Sequence, residues 1–187
     1  MNIGQERDEW LMVQVALGKR EYLEPLIRRY ASPLLTFIRR MVGDRQQSED
    51  LFQEAFLAVW KNRRQYQFPR PFKAWLYAIA LNQCWAAQSR RAPGPLDEKP
   101  ASTLASPDPS PTETAIATET AALVTAAVAR LAPQQRAVVV LRVWDGLSYS
   151  EIAEILGRSE GTVRSNMHHG LAAMRKYWSR AWAKAGS

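Results

Sequence analysis

The sequence predicts an all-α protein made of two small helical domains joined by a flexible linker. Three observations lead there. Apolar residues recur at three- and four-residue spacings on both halves of the chain, which is the period of a helix face. No stretch shows the strict alternation of a half-buried strand. Between the halves, Pro93, Pro95, Pro100, Pro107, Pro109 and Pro111 interrupt regular hydrogen bonding in a segment poor in large apolar groups. The expected division is 1–92, a linker over 93–119, and 120–187.

Each element has its own local signal. Tyr22–Val42 reads as a helix with Pro25 in its first turn and Pro33 as a kink or break. Glu49–Trp60 places Leu51, Phe52, Ala55, Phe56 and Val59 on one face. Pro71 suits a helix start, after which Phe72, Trp75, Leu76, Ile79 and Ala80 form an apolar stripe. In the second half, Thr120–Leu131 is an Ala-rich helix that ends before Pro133. Gln134–Trp144 forms the next, with Ala137, Val138, Leu141 and Val143 apolar. Ser148 followed by Glu151 is a capping box, Gly157 supplies a left-handed stop, and Ser159 is the next N-cap. Val163, Met167, Leu171 and Met174 then lie on one buried face.

Composition narrows the class of function. The 187 residues are 47% hydrophobic and 23% charged, within the range of globular structure. No apolar run is long enough to span a bilayer and no secretory signal is visible, so a cytoplasmic location without membrane insertion is expected. The single cysteine, Cys84, rules out an intramolecular disulfide framework, and a small buried hydrophobe is the expected role for it. No catalytic residue, metal site or cofactor is expected. Asp50 and Glu54 stand one turn apart, but no His, Ser or metal ligand accompanies them as an acid/base pair would need.

The net charge is +7, unevenly spread. Residues 1–92 hold 15 Lys/Arg against 9 Asp/Glu, 93–119 one against five, and 120–187 nine against four. Two basic bodies joined by an acidic strap suit a polyanionic partner, and a merely solubilising surface is the bland alternative.

Two segments sharpen this. The short helix, glycine turn and second helix over Asp145–Tyr177 follow the helix-turn-helix plan, whose second helix enters the major groove. Arg158, Ser159, Thr162, Arg164, Ser165, Asn166 and His169 are its candidate DNA contacts. Asn166 suits adenine, and Arg164 suits guanine or phosphate. A plain helical hairpin would share the capping and the apolar stripe. In Gln65–Arg91, the rings of Tyr66, Phe68, Phe72, Trp75, Tyr77 and Trp85 are interleaved with Arg70, Lys73, Arg90 and Arg91. Rings beside cations hold unstacked bases of a single strand, although about half of these rings are expected in the core.

These residues carry a family resemblance. Ser48–Trp60 resembles region 2.2 of the extracytoplasmic-function sigma factors of the sigma-70 family. Arg70–Asn82 resembles regions 2.3 and 2.4, Leu131–Leu141 region 4.1, and the helix-turn-helix with Gly161-Thr-Val-Arg-Ser165 region 4.2. The resemblance implies a subunit that binds core RNA polymerase through its β and β′ subunits and directs promoter recognition, melting and initiation. It implies polymerase contact by Asp50, Leu51, Gln53, Glu54 and Phe56. For the melted −10 element it implies Tyr66, Phe68, Arg70, Phe72, Lys73, Trp75, Asn82, Arg90 and Arg91. The second domain would read the duplex −35 element, the linker would thread along the polymerase, and an anti-sigma factor is a further implied partner. Ala78, Leu81, Ala86, Asn166 and the His168-His169-Gly170 run depart from residues common in the family. The alternatives are a LuxR-like helix-turn-helix regulator that needs no polymerase, and a helical interaction adaptor.

Overall fold

The computed structural model describes residues 5–91 and 113–185, with side chains over 5–90 and 121–180. Among the described residues there are eight α-helices, two single 3-10 turns and no strand. The all-α expectation holds. The helices are α1 (Asp8–Ala16), α2 (Leu23–Val42), α3 (Arg45–Lys61), α4 (Phe72–Arg91), α5 (Glu113–Ala129), α6 (Pro133–Val143), α7 (Tyr149–Leu156) and α8 (Glu160–Ala185).

In the first unit α2, α3 and α4 pack on one another, with α1 laid across α2 and the start of α4. Leu26, Leu34, Phe37, Ile38 and Met41 from α2 meet Leu51, Ala55 and Val59 from α3, and Phe72, Leu76 and Ala80 from α4. Burial of each Leu or Phe contributes roughly 1.5–3 kcal/mol, which is what holds these helices together. Helix α1 went unread in the sequence. Its Leu11, Met12 and Val15 are fully buried, and its acids tie it down: Asp8 accepts from Arg29 and Tyr30, and Glu9 accepts from the backbone N–H of Phe72 at 3.4 Å. An acid at that amide suits the positive end of α4. Pro33 does not break α2, which runs unbroken through it. Its exposed ring puts the missing N–H on the solvent side of the helix.

In the second unit α6 is the central helix. Five consecutive residues, Ala137 to Leu141, are buried because α5, α7 and α8 pack on it and α2 approaches from the first unit. A run of three valines is a weak helix former, so packing rather than propensity makes this helix. Val143, expected on the apolar face, is exposed. Helix α8 crosses α6 closely at Gly170, where a Cβ would stand 2.9 Å from Val139 Cγ2. Gly170 is therefore a packing residue, not a lost DNA contact. Helix α5 starts at Glu113, seven residues before the expected start at Thr120, since Pro111 is the last proline before it and ETAIATE has no other strong breaker. The linker expected over 93–119 lies outside the described residues as far as 112.

The capping box at the start of α7 is present in full: Glu151 N–H to Ser148 Oγ at 3.2 Å, and Ser148 N–H to Glu151 Oε2 at 2.7 Å. Hydrogen bonds from the Ser148 hydroxyl and amide favour the ionised carboxyl and hold Glu151 below its ordinary value near 4.5. A carboxyl depressed on folding contributes stability above its unfolded value and loses it as the pH falls through the folded one. Ser148→Ala should lower the unfolding free energy by about 1 kcal/mol at neutral pH. It should also flatten the loss of stability below about pH 4.5. Denaturant titrations across the acid range read both effects.

Candidate nucleic-acid interface

The helix-turn-helix is built as its sequence signals require. Gly157 sits at φ 60° and closes α7, with its N–H on the carbonyls of Ala153 and Glu154. Ser159 Oγ accepts from Thr162 N–H at 3.2 Å, which caps α8. Val163 and Met174 are buried, whereas Leu171, expected on the same face, is 44% exposed. Of the predicted DNA contacts, Arg158, Ser159, Thr162, Arg164, Ser165 and His169 are exposed and Asn166 is half-buried. Arg158 lies in the turn, Ser159 caps α8, and the other five share the first three turns of that helix. Four of them are already engaged: the Ser159 and Thr162 hydroxyls meet at 2.9 Å, Arg164 contacts Glu160 at 3.3 Å and lies 4.4 Å over the Tyr149 ring, and Asn166 Nδ2 donates to the Thr162 carbonyl at 3.0 Å. Reading a base would mean exchanging these partners. His168 and His169 meet edge to face at 5.5 Å and are exposed.

The second predicted surface is only partly on the outside. Phe72, Tyr77, Tyr66 and Trp75 are 0, 1, 8 and 9% exposed. Tyr66, Phe72 and Trp75 form one aromatic cluster with centroids 5.3–6.5 Å apart. These three cannot stack on bases in this arrangement. Their spacing is that of an amphipathic helix and the loop beneath it, so burying large rings outweighs presenting them. Burial, with Glu9 and Asp8 adding to it, pushes the Tyr66 phenol up to about 12, so it stays protonated and donates to the Arg70 carbonyl. That bond straps the loop between α3 and α4. Phe68, at its tip, is 66% exposed. Arg63 backs the loop, with its guanidinium 4.2 Å over the Trp60 ring and Nη1 on the Trp60 carbonyl at 2.8 Å. Asn82 and Arg90 are exposed, while Arg70 and Lys73 are partly so. The Arg91 side chain lies outside the described residues.

The predicted polymerase contacts divide in the same way. Asp50, Gln53 and Glu54 are exposed on α3, but Leu51 and Phe56 are buried, at 3 and 6%. The face that carries the two apolar residues is the one α3 turns to α2 and α4. Reasoning from sequence missed Leu57, which is 55% exposed. The signal was its position: 50, 53, 54 and 57 stand at i, i+3, i+4 and i+7, one continuous stripe. Among the described residues no group of His, Cys, Asp and Glu could hold a metal, and no helix is long and apolar enough to cross a membrane.

Comparison with known proteins agrees with this layout. Residues 26–92 match the family "Sigma-70 region 2", and residues 121–174 match "Sigma-70, region 4". The ECF RNA polymerase sigma factor SigE of Mycolicibacterium smegmatis is 34% identical over 84% of this chain, which covers 62% of that relative's length. SigL of Mycobacterium tuberculosis, likewise an ECF RNA polymerase sigma factor, is 30% identical over 86% of this chain and 90% of its own length. Among solved structures, CnrH in complex with the cytosolic domain of CnrY has the same fold. The TM-score is 0.70 at 23% identity, over 97% of this chain and all of that one.

The burial pattern makes a direct prediction. Phe72→Ala should cost roughly 3–5 kcal/mol of stability. Phe68→Ser, on an exposed ring, should stay within about 0.5 kcal/mol. Thermal or denaturant unfolding of the two variants checks this, and equal costs would contradict the assigned burial.

Proposed function

The chain belongs to the sigma-70 family, in its extracytoplasmic-function branch, and from that premise we propose that it binds core RNA polymerase, recognises promoters and opens their −10 element. The single observation that carries the reading is the pair of family matches, in order, each falling on its own helical unit. A LuxR-like regulator would share only the second unit, so it leaves the match over 26–92 without an explanation.

The mechanism forms no bonds in this protein. The stripe of Asp50, Gln53, Glu54 and Leu57 is assigned to the polymerase, supported by its exposure on one face of α3. Two carboxylates beside an exposed leucine suit a partner surface that pairs cations with an apolar patch. The N-terminal turns of α8 are assigned to the duplex −35 element. Six exposed polar side chains there can reach a groove about 12 Å wide. The −10 surface is assigned to Phe68, Arg70, Lys73, Asn82 and Arg90, with Tyr66, Phe72 and Trp75 as the packed base that positions the loop. A ring such as Phe68 stacked on an unpaired base offsets roughly 1–3 kcal/mol of the cost of unstacking it. The acidic segment over 93–112 is assigned to the polymerase as a connector. An anti-sigma factor is the further partner this reading carries. The protein's work is done by binding, and the cytoplasm is the compartment that the reading requires.

Two paired substitutions test the residue assignment. The wild-type chain should co-elute with sigma-free core polymerase. Alanine at both Asp50 and Glu54 should weaken that association roughly tenfold, the scale of an interface contact of moderate strength. Alanine at both Arg164 and Asn166 should leave core association intact and reduce promoter discrimination, by about 1–3 kcal/mol per lost base contact. No association of the wild-type chain with core would overturn the function. Equal effects of both pairs on core binding would overturn the assignment.

A further inference from the structure

Helix α8 is longer than the reading of a groove requires. It runs for 26 residues, about 39 Å at the rise of an α-helix. The match to region 4 ends at residue 174, and the candidate base contacts end at His169. A major groove about 12 Å wide occupies only the first three turns. The turns beyond them are chemically one-sided. Glu160 is the last acid in the chain, and the helix after it carries Arg164, Arg175, Lys176, Arg180 and Lys184. Packing decides which side of these turns is free. Tyr177 and Trp178 are half-buried against the core, and the Arg130 guanidinium lies 5.1 Å over the Tyr177 ring. Arg175, Lys176, Ser179 and Arg180 are exposed, and the Ser179 hydroxyl donates back to the Arg175 carbonyl at 3.0 Å.

We infer that the exposed side of α8 beyond residue 174 is a second DNA site, where Arg175, Lys176 and Arg180 hold backbone phosphates of the duplex outside the groove that the first turns enter. The inference rests on the assignment of α8 to duplex DNA and extends it from base edges to the flanking backbone. The cations stand in line with the reading residues. Arg175 follows Arg164 by eleven residues, and Lys176 follows Ser165 by eleven. Eleven residues are close to three whole turns, so each pair shares a face about 16 Å apart along the axis. Arg180 follows Thr162 by eighteen residues, which is five whole turns.

Charge balance along the helix points the same way. In the first three turns Arg164 is the one Lys or Arg, and Glu160 stands 3.3 Å from it. Those turns carry little net attraction for a polyanion, whereas most DNA affinity comes from neutralised phosphates. The later turns supply it, with contacts that fix position and read no sequence. The free side also selects the kind of polyanion. An anionic membrane surface is held by exposed aromatic rings beside cations, and an unpaired strand by exposed rings on which bases stack. Among the described residues of these turns, both rings are turned to the core and the outer side offers cations alone. That suits duplex phosphates.

The test uses the full chain and a fluorescent duplex of random sequence, with binding measured across a range of salt. The variant is Arg175→Gln/Lys176→Gln/Arg180→Gln. The control, Arg7→Gln/Arg20→Gln/Arg28→Gln, removes the same charge at exposed sites of the first unit. Each phosphate contact contributes about 0.9 to the slope of log affinity against log salt, so the variant's slope should be shallower than the wild type's by roughly 2–3. Between about 50 and 200 mM salt the wild-type chain should then lose roughly 15- to 40-fold more affinity than the variant. The control should keep most of the wild-type slope, and Arg175→Lys/Arg180→Lys, which retains the charge, should keep all of it. An unchanged slope in the α8 variant, or an equal change in variant and control, would overturn the inference. So would capture by phosphatidylserine vesicles that the α8 substitutions abolish while the duplex slope stays unchanged. If the triple variant loses its helix by circular dichroism, Lys176→Gln alone should make the slope shallower by about 1. Failure of the sigma reading would instead show as no association with core polymerase, which this test does not use.

Discussion

One guanidinium, that of Arg136, holds the second unit together and ties it to the first. Its Nε donates to the Val128 carbonyl at 3.1 Å and its Nη2 to the carbonyls of Ala129 and Leu131, at and just past the end of α5. Its Nη1 donates to the Met41 carbonyl at 2.8 Å, near the end of α2 in the first unit. Helix C-termini leave carbonyls without intrahelical donors and carry partial negative charge, so a cation there serves as donor and counter-charge at once. Burial of Arg136 lowers its affinity for a proton, yet a guanidinium starts so high that it stays charged. The turn between α5 and α6 depends on this side chain, and with it the placement of α6, on which α7 and α8 are packed.

The parts of the fold legible in the sequence were those that local chemistry decides. Ser148, Glu151, Gly157 and Ser159 act on amides and carbonyls within four residues of themselves, so their roles followed from spacing. Helix α1 escaped because it has little apolar asymmetry. Its Leu11, Met12 and Val15 are held by acids that reach α2 and α4, a relation no local pattern contains. Gly170 was read as a missing polar residue because its reason, the approach of Val139, lies 31 residues away in the chain and across a helix crossing.

The candidate site divides along the same line. For α8, periodicity separated buried Val163 and Met174 from exposed Thr162, Arg164 and Ser165, because capping fixes where the helix begins and hence which way each residue faces. For the aromatic segment, composition could not separate a ring that presents itself from one that packs. Tyr66, Phe72 and Trp75 turned inward, and Phe68 alone of the assigned rings stands out. Leu51 and Phe56 were assigned to a partner when their face was already taken by α2 and α4. In each case the deciding fact was a neighbouring helix, which is why periodicity gave the exposure of Thr162, Arg164 and Ser165 on α8 but not the burial of Tyr66, Phe72 and Trp75 at the start of α4. What survives is an arrangement with a polar stripe on α3, a strapped loop with one exposed ring, and a capped reading helix.

The most direct measurement is transcription of sheared genomic DNA from the source organism by sigma-free core polymerase, with and without this chain, mapping the ends of the transcripts. The account predicts discrete start sites that appear only with the chain and share two upstream motifs at fixed spacing, one for each helical unit. The same scattered starts in both reactions would contradict it.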